Sequence, residues 1–181
     1  MTFEKYNGLF EEILQADQPK APYDNLDFFH YTELNQKRQD RWLKKGEILP
    51  ELADKIKSIN TPQNWVLISE PWCGDASHIV PFIGKIAELN SKINLQIQLR
   101  DSDSEIDKYL TNGGKSIPIL IVRDVDNKDI FHWGPRPEEA QKIHLENLNS
   151  SKTPEEKKIE LQKWYNSDKG MSLQKELLAK F

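Results

Sequence analysis

The pattern of apolar positions changes period at Asn64. Before it, breaker-rich joints divide the chain into three stretches that read as helices: Phe3–Gln15, Asn25–Lys45 and Leu49–Ile59. The joints are Gln18-Pro19-Lys20-Ala21-Pro22 and the segment from Gly46 to Pro50. In the third stretch Leu49, Leu52, Ala53, Ile56 and Ile59 repeat at three and four residues, an apolar face that a sheet or another helix must cover. From Asn64 on, Trp65-Val66-Leu67-Ile68 is the short continuous apolar run of a buried central strand. Ile79, Phe82, Ile83, Ile86 and Ala87 then form one helical stripe, and Ile93, Leu95, Ile97 and Leu99 alternate with polar residues as a strand does.

Further along, Ser104 to Leu110 predicts a short helix stopped by Asn112-Gly113-Gly114, and Ile117 to Val122 predicts a strand. The turn Asp124 to Asn127 leads to a strand over Ile130 to Trp133. Pro137 opens a helix with Glu138 and Glu139 in its first turn, where the helix dipole favours negative charge. Thr153 and Glu156 make a capping box for a final helix, which breaks at Asp168-Lys169-Gly170. Beyond the break, Leu173, Leu177 and Phe181 form a short apolar stripe for docking.

The order strand, helix, strand, helix, strand, strand, helix over residues 64 to 149 places Cys73, the one cysteine, at the turn from the first strand into its helix. A lone cysteine is by default an inert core residue. At this turn, however, unpaired amides and the positive helix end favour thiolate. Trp72-Cys73-Gly74-Asp75-Ala76 on such a turn, with this order of elements over about half the chain, resembles the thioredoxin family. Pro81 in the following helix, Ile117-Pro118 and Gly134 occupy further positions of the family's pattern.

The resemblance implies an α/β thioredoxin fold, a central mixed sheet flanked by helices. The expected organisation is one domain over residues 1–181, with an N-terminal helical extension (1–62), a thioredoxin core (63–149) and C-terminal helices (150–181). It also implies a cis-proline loop at Ile117-Pro118 facing Cys73, with the Ile117 backbone pairing to an extended substrate and Trp72 walling the groove. Gly74, Asp75, Ala76, Gly134 and Arg136 complete the expected substrate-binding set.

Two departures bear on the chemistry. Ala76 stands where a dithiol thioredoxin has its resolving cysteine, and Leu67 stands where many bury a carboxylate. A mixed disulfide at Cys73 would therefore need an external small thiol for its release. The leading expectation is monothiol exchange with protein or small-molecule thiols and disulfides, with Cys73 as nucleophile and no bound cofactor. The alternative is a redox-inactive module that binds a protein or peptide in the groove. Asp75 has two readings: a first-turn anion favourable to the helix, or a charge that opposes the Cys73 thiolate. Arg136 is expected at the surface, with compensation of Asp75 as its other role.

The remaining features narrow the field. His78 lies five residues beyond Cys73, turned well away from the sulfur on a helix. His30, His132 and His144 lack metal-ligand spacing, and the acidic runs at Asp101 to Glu105 and Asp124 to Asn127 read as solvated turns, so no metal is expected. The 181 residues are 37% hydrophobic and 30% charged, a globular balance, and the net charge of -4 argues against a nucleic-acid partner. No signal-peptide core or membrane span is legible, so a cytoplasmic location is expected.

Overall fold

The computed structural model describes residues 1–181. The apolar run became the central strand β1 (Gln63–Ser69), paired in parallel with β2 (Ile93–Leu99) and antiparallel with β3 (Ile119–Arg123). Strand β4 (Asp129–Trp133) pairs antiparallel with β3, giving a mixed sheet in the order β2-β1-β3-β4. Because β1 has a neighbour on each side and both faces covered, Trp65, Leu67 and Ile68 are wholly buried. The strand expected from Ile117 begins at Ile119, after the cis Ile117–Pro118 peptide; Pro118 has no N–H to give a ladder.

The three N-terminal stretches form α1 (Phe3–Leu14), α2 (Leu26–Lys45) and α3 (Pro50–Lys57). Thr2 and Asn25 cap the first two, each side chain accepting a backbone N–H of the first turn. Helix α2 packs against α4 (Ala76–Ala87), which continues through Pro81 as one element. The Met1 amino group donates to the Ile97 carbonyl and the Ile97 N–H donates to the Met1 carbonyl, both at 2.7 Å, which closes the outer edge of β2. The predicted helix at Ser104 to Leu110 shrinks to a 3-10 turn at Ile106–Lys108. There Glu105 turns to accept both Arg123 terminal nitrogens at 3.0 and 2.8 Å, tying the segment to the end of β3.

After β4 come α5 (Glu138–Leu148), α6 (Pro154–Asp168) and α7 (Met171–Leu178). The capping box at Thr153 and Glu156 is formed, and the break falls where Lys169 and Gly170 take left-handed backbone at φ 55° and 77°. Helix α7 links distant segments. Its Gln174 accepts the Leu49 N–H and donates to the Glu47 carbonyl, while its Glu176 accepts from the Trp133 indole and the Glu138 N–H. Leu173 and Leu177 are buried, and Phe181 stacks on Trp65 with ring centroids 5.5 Å apart. The core cluster thus joins Tyr6 and Trp42 from the first segment to Tyr165 and Leu177 from the last.

Candidate functional site

Strand β1 delivers the chain to a turn over Glu70 to Asp75, and α4 starts at Ala76. The Cys73 N–H donates to the Glu70 carbonyl at 3.1 Å, and Asn35 of α2 donates to the Pro71 carbonyl at 2.9 Å, so the turn is held from inside. The Cys73 side chain is 7% exposed, and its thiol donates to the Ile117 carbonyl at 3.5 Å. Ile117 is itself buried. Gly134 closes this corner at φ 126°, a conformation that favours glycine, and a Cβ there would lie 2.3 Å from the Pro118 carbonyl oxygen. Cys73, Ile117, Pro118 and Gly134 therefore share one corner of the fold. Ala76, buried, opens the helix beside it.

Asp75 does not cap the helix. Its carboxylate turns sideways, where Oδ2 pairs with Arg136 at 2.7 Å and Oδ1 accepts the Tyr165 hydroxyl at 2.9 Å. The two charged side chains are only 10% and 13% exposed, so Arg136 is a buried ion-pair partner rather than the surface residue its composition suggests. The reason is the Gly134-Pro135-Arg136-Pro137 segment, which brings the guanidinium back over the turn. Of the two readings of Asp75, this placement favours the charge that opposes the thiolate. Burial first, and the Asp75 charge second, push the Cys73 thiol up to about 12, against the opposing pull of the Ala76 and Asp75 amides and of Arg136. At neutral pH this environment favours the protonated thiol over the thiolate.

His78 belongs to a structural chain. Its Nδ1 accepts the Trp42 indole N–H at 2.9 Å, so Nε2 carries the proton and donates to Gln162 Oε1 at 2.7 Å. Tyr165 stacks on its ring at 4.6 Å, and burial drives its pKa down to about 3, keeping it neutral. Gln162 and Tyr165 both come from α6. Nothing local in the sequence marks them; they reach the motif only because the capped helix folds back across it.

Leu67 lies wholly buried in β1, and Glu70, at the end of that strand, is a second buried carboxylate besides Asp75. Its oxygens accept the Asp101 N–H at 2.9 Å and the Tyr23 hydroxyl at 3.1 Å, and burial raises its pKa. Trp72 is held between the Phe28 ring, 5.1 Å away, and the Arg100 guanidinium, 4.5 Å from the indole centroid. Beside Trp72, Gly74 and Asp75 a cavity of about 660 Å³ opens, bounded by α2, α5 and α6. That volume is in the range of small-molecule sites.

A thioredoxin family model matches residues 24–166, most of the chain. The chain belongs to the thioredoxin family. No curated protein matches it. Among solved structures, a Pseudomonas aeruginosa protein of unknown function, PA1234, superposes with a TM-score of 0.59 at 16% identity over 85% of this chain and 90% of that one. An HIV epitope scaffold gives the same values: TM-score 0.59, 16% identity, and 85% and 90% coverage. At this identity the likeness establishes the fold alone, and it extends over the helical additions as well as the sheet. No helix is long and apolar enough to cross a membrane.

Proposed function

We propose that this thioredoxin-family protein binds a ligand in the cavity beside Trp72, Gly74 and Asp75, with Cys73 kept as a resting, protonated thiol. The observation that carries this reading is the arrangement at the turn. The sulfur is buried against the Ile117 carbonyl with Asp75 as its neighbour, while the cavity of about 660 Å³ opens on the same turn. A self-contained dithiol cycle needs a thiolate and a second cysteine in the chain; here the first is disfavoured and Ala76 stands in place of the second. Helices α2 and α6 supply much of the cavity wall.

Monothiol exchange is the second reading, and one observation favours it: Cys73 Sγ lies 3.5 Å from the carbonyl preceding the cis Pro118, so the nucleophile and its facing loop are together. In that reaction the Cys73 thiol loses its proton to solvent and attacks a disulfide, forming a mixed disulfide and releasing one thiolate. An external thiol then attacks the mixed disulfide, carries off the second half as a new disulfide and restores Cys73. Reduction of a model disulfide by a small thiol, followed with and without the protein, separates the two readings. Binding predicts equal rates for wild type and Cys73→Ala; a protein-dependent rate abolished by that substitution supports exchange and overturns the binding reading.

A further inference from the structure

The charge of the cavity differs in sign from that of the chain. The protein carries a net charge of -4, yet the cavity is lined by five cationic side chains and two carboxylates, one of which, Asp75, is already paired with Arg136. Arg38 is the informative one. It is half-buried on α2, its hydrogen bond goes to the neutral Asn35 amide at 2.8 Å, and no carboxylate lies within ion-pair distance. Arg41, one turn further along α2, adds like charge and likewise pairs with a neutral amide, that of Asn166. Glu155, the other carboxylate of the cavity, acts on Arg38 only at a distance and makes no ion pair with it, so the half-buried guanidinium keeps hydrogen-bonding capacity for an anion.

The opposite character lies a few residues away. Phe28, Leu34, Trp72, Leu148 and Leu161 present apolar surface to the same cavity, and Lys157 and Lys163 of α6 stand with Arg38 among its walls. We propose that the ligand is a small amphipathic organic acid, its apolar body against Phe28, Leu34 and Trp72 and its carboxylate on Arg38. A guanidinium holds a carboxylate through two parallel hydrogen bonds, which suits Arg38 better than the lysines to the specific contact. The lysines supply attraction that salt screens.

This inference rests on the binding reading above and is tested apart from it. The full-length protein is titrated with two probes of nearly equal shape, 8-anilinonaphthalene-1-sulfonate, which is anionic, and N-phenyl-1-naphthylamine, which is neutral. The anionic probe is expected to bind about tenfold or more tightly than the neutral one, with that margin lost in Arg38→Gln. Lys163→Glu, at an exposed position, is expected to weaken the anion alone and serves if Arg38→Gln fails to fold. Leu34→Trp, which fills the cavity, is expected to displace both probes. Equal binding of the two probes by wild type, or an Arg38→Gln protein that keeps the margin, overturns the assignment of an anion while leaving the binding reading intact. Binding of neither probe, together with Cys73-dependent disulfide turnover, overturns the binding reading itself.

Discussion

Replacing either partner of the buried Asp75–Arg136 pair is expected to change Cys73 in opposite directions while costing stability in both cases. In Asp75→Asn the amide is nearly the same shape and its oxygen still accepts the Tyr165 hydroxyl, but the like charge beside the sulfur is gone and Arg136 is left without its counter-ion. With the side chains 10% and 13% exposed and 2.7 Å apart, breaking the pair costs about 3 kcal/mol. For a chain of this length that corresponds to about 6–12 °C in Tm. The thiol gains twice, from the lost carboxylate and from a guanidinium no longer neutralised, so its pKa falls. Alkylation by iodoacetamide at pH 8, where the rate follows the thiolate fraction, accelerates by about tenfold or more. Arg136→Gln loses similar stability but leaves the carboxylate unopposed beside Cys73, so alkylation slows below wild type. Paired rate measurements with thermal unfolding of both variants decide the matter. If both substitutions shift the rate the same way, loosening of the fold rather than charge governs the thiol, and the reasoning fails.

Other consequences are open to direct measurement. Gly134→Ala combines a backbone at φ 126° with a Cβ 2.3 Å from the Pro118 carbonyl oxygen, and is expected to cost about 2–4 kcal/mol in denaturant unfolding. His78 is buried neutral with its pKa lowered to about 3, whereas the unfolded chain protonates near 6.5. Its contribution is complete above pH 6.5 and declines as pH falls towards 3, reaching a loss of about 3 kcal/mol at pH 4 that His78→Gln should not show. Glu105, held down to about 2 by Arg123, stabilises the fold above its ordinary range near 4.5 and loses that contribution as pH falls through about 2. Because it is partly exposed, Glu105→Gln is expected to flatten the acid decline in that window by only about 1–2 kcal/mol.

What could be read in advance follows the range of the physics involved. The run Trp65 to Ile68, the alternation from Ile93 to Leu99 and the box at Thr153 are local patterns, and each produced its element. The Asp75–Arg136 pair was legible only as an alternative, because composition places a lone arginine at the surface and nothing near either residue signals the other. Tyr165 lies 90 residues from the carboxylate it bonds, on a helix whose own pattern is amphipathic in no informative way. The burial of Glu70 was not legible, since its partners Tyr23 and Asp101 come from segments that only the folded chain brings together. The cavity is likewise a product of where α2, α5 and α6 meet.

Whether Cys73 rests as a protonated thiol separates a binding protein from an exchange catalyst most directly. Its ionisation, followed by alkylation rate from pH 6 to pH 11 with Cys73→Ala as the blank, is predicted to rise throughout that range with no plateau, as a group pushed up to about 12 requires. A plateau with a midpoint below the free-thiol value of about 8.5 would contradict it, and would make Cys73 a poised nucleophile rather than a resting thiol.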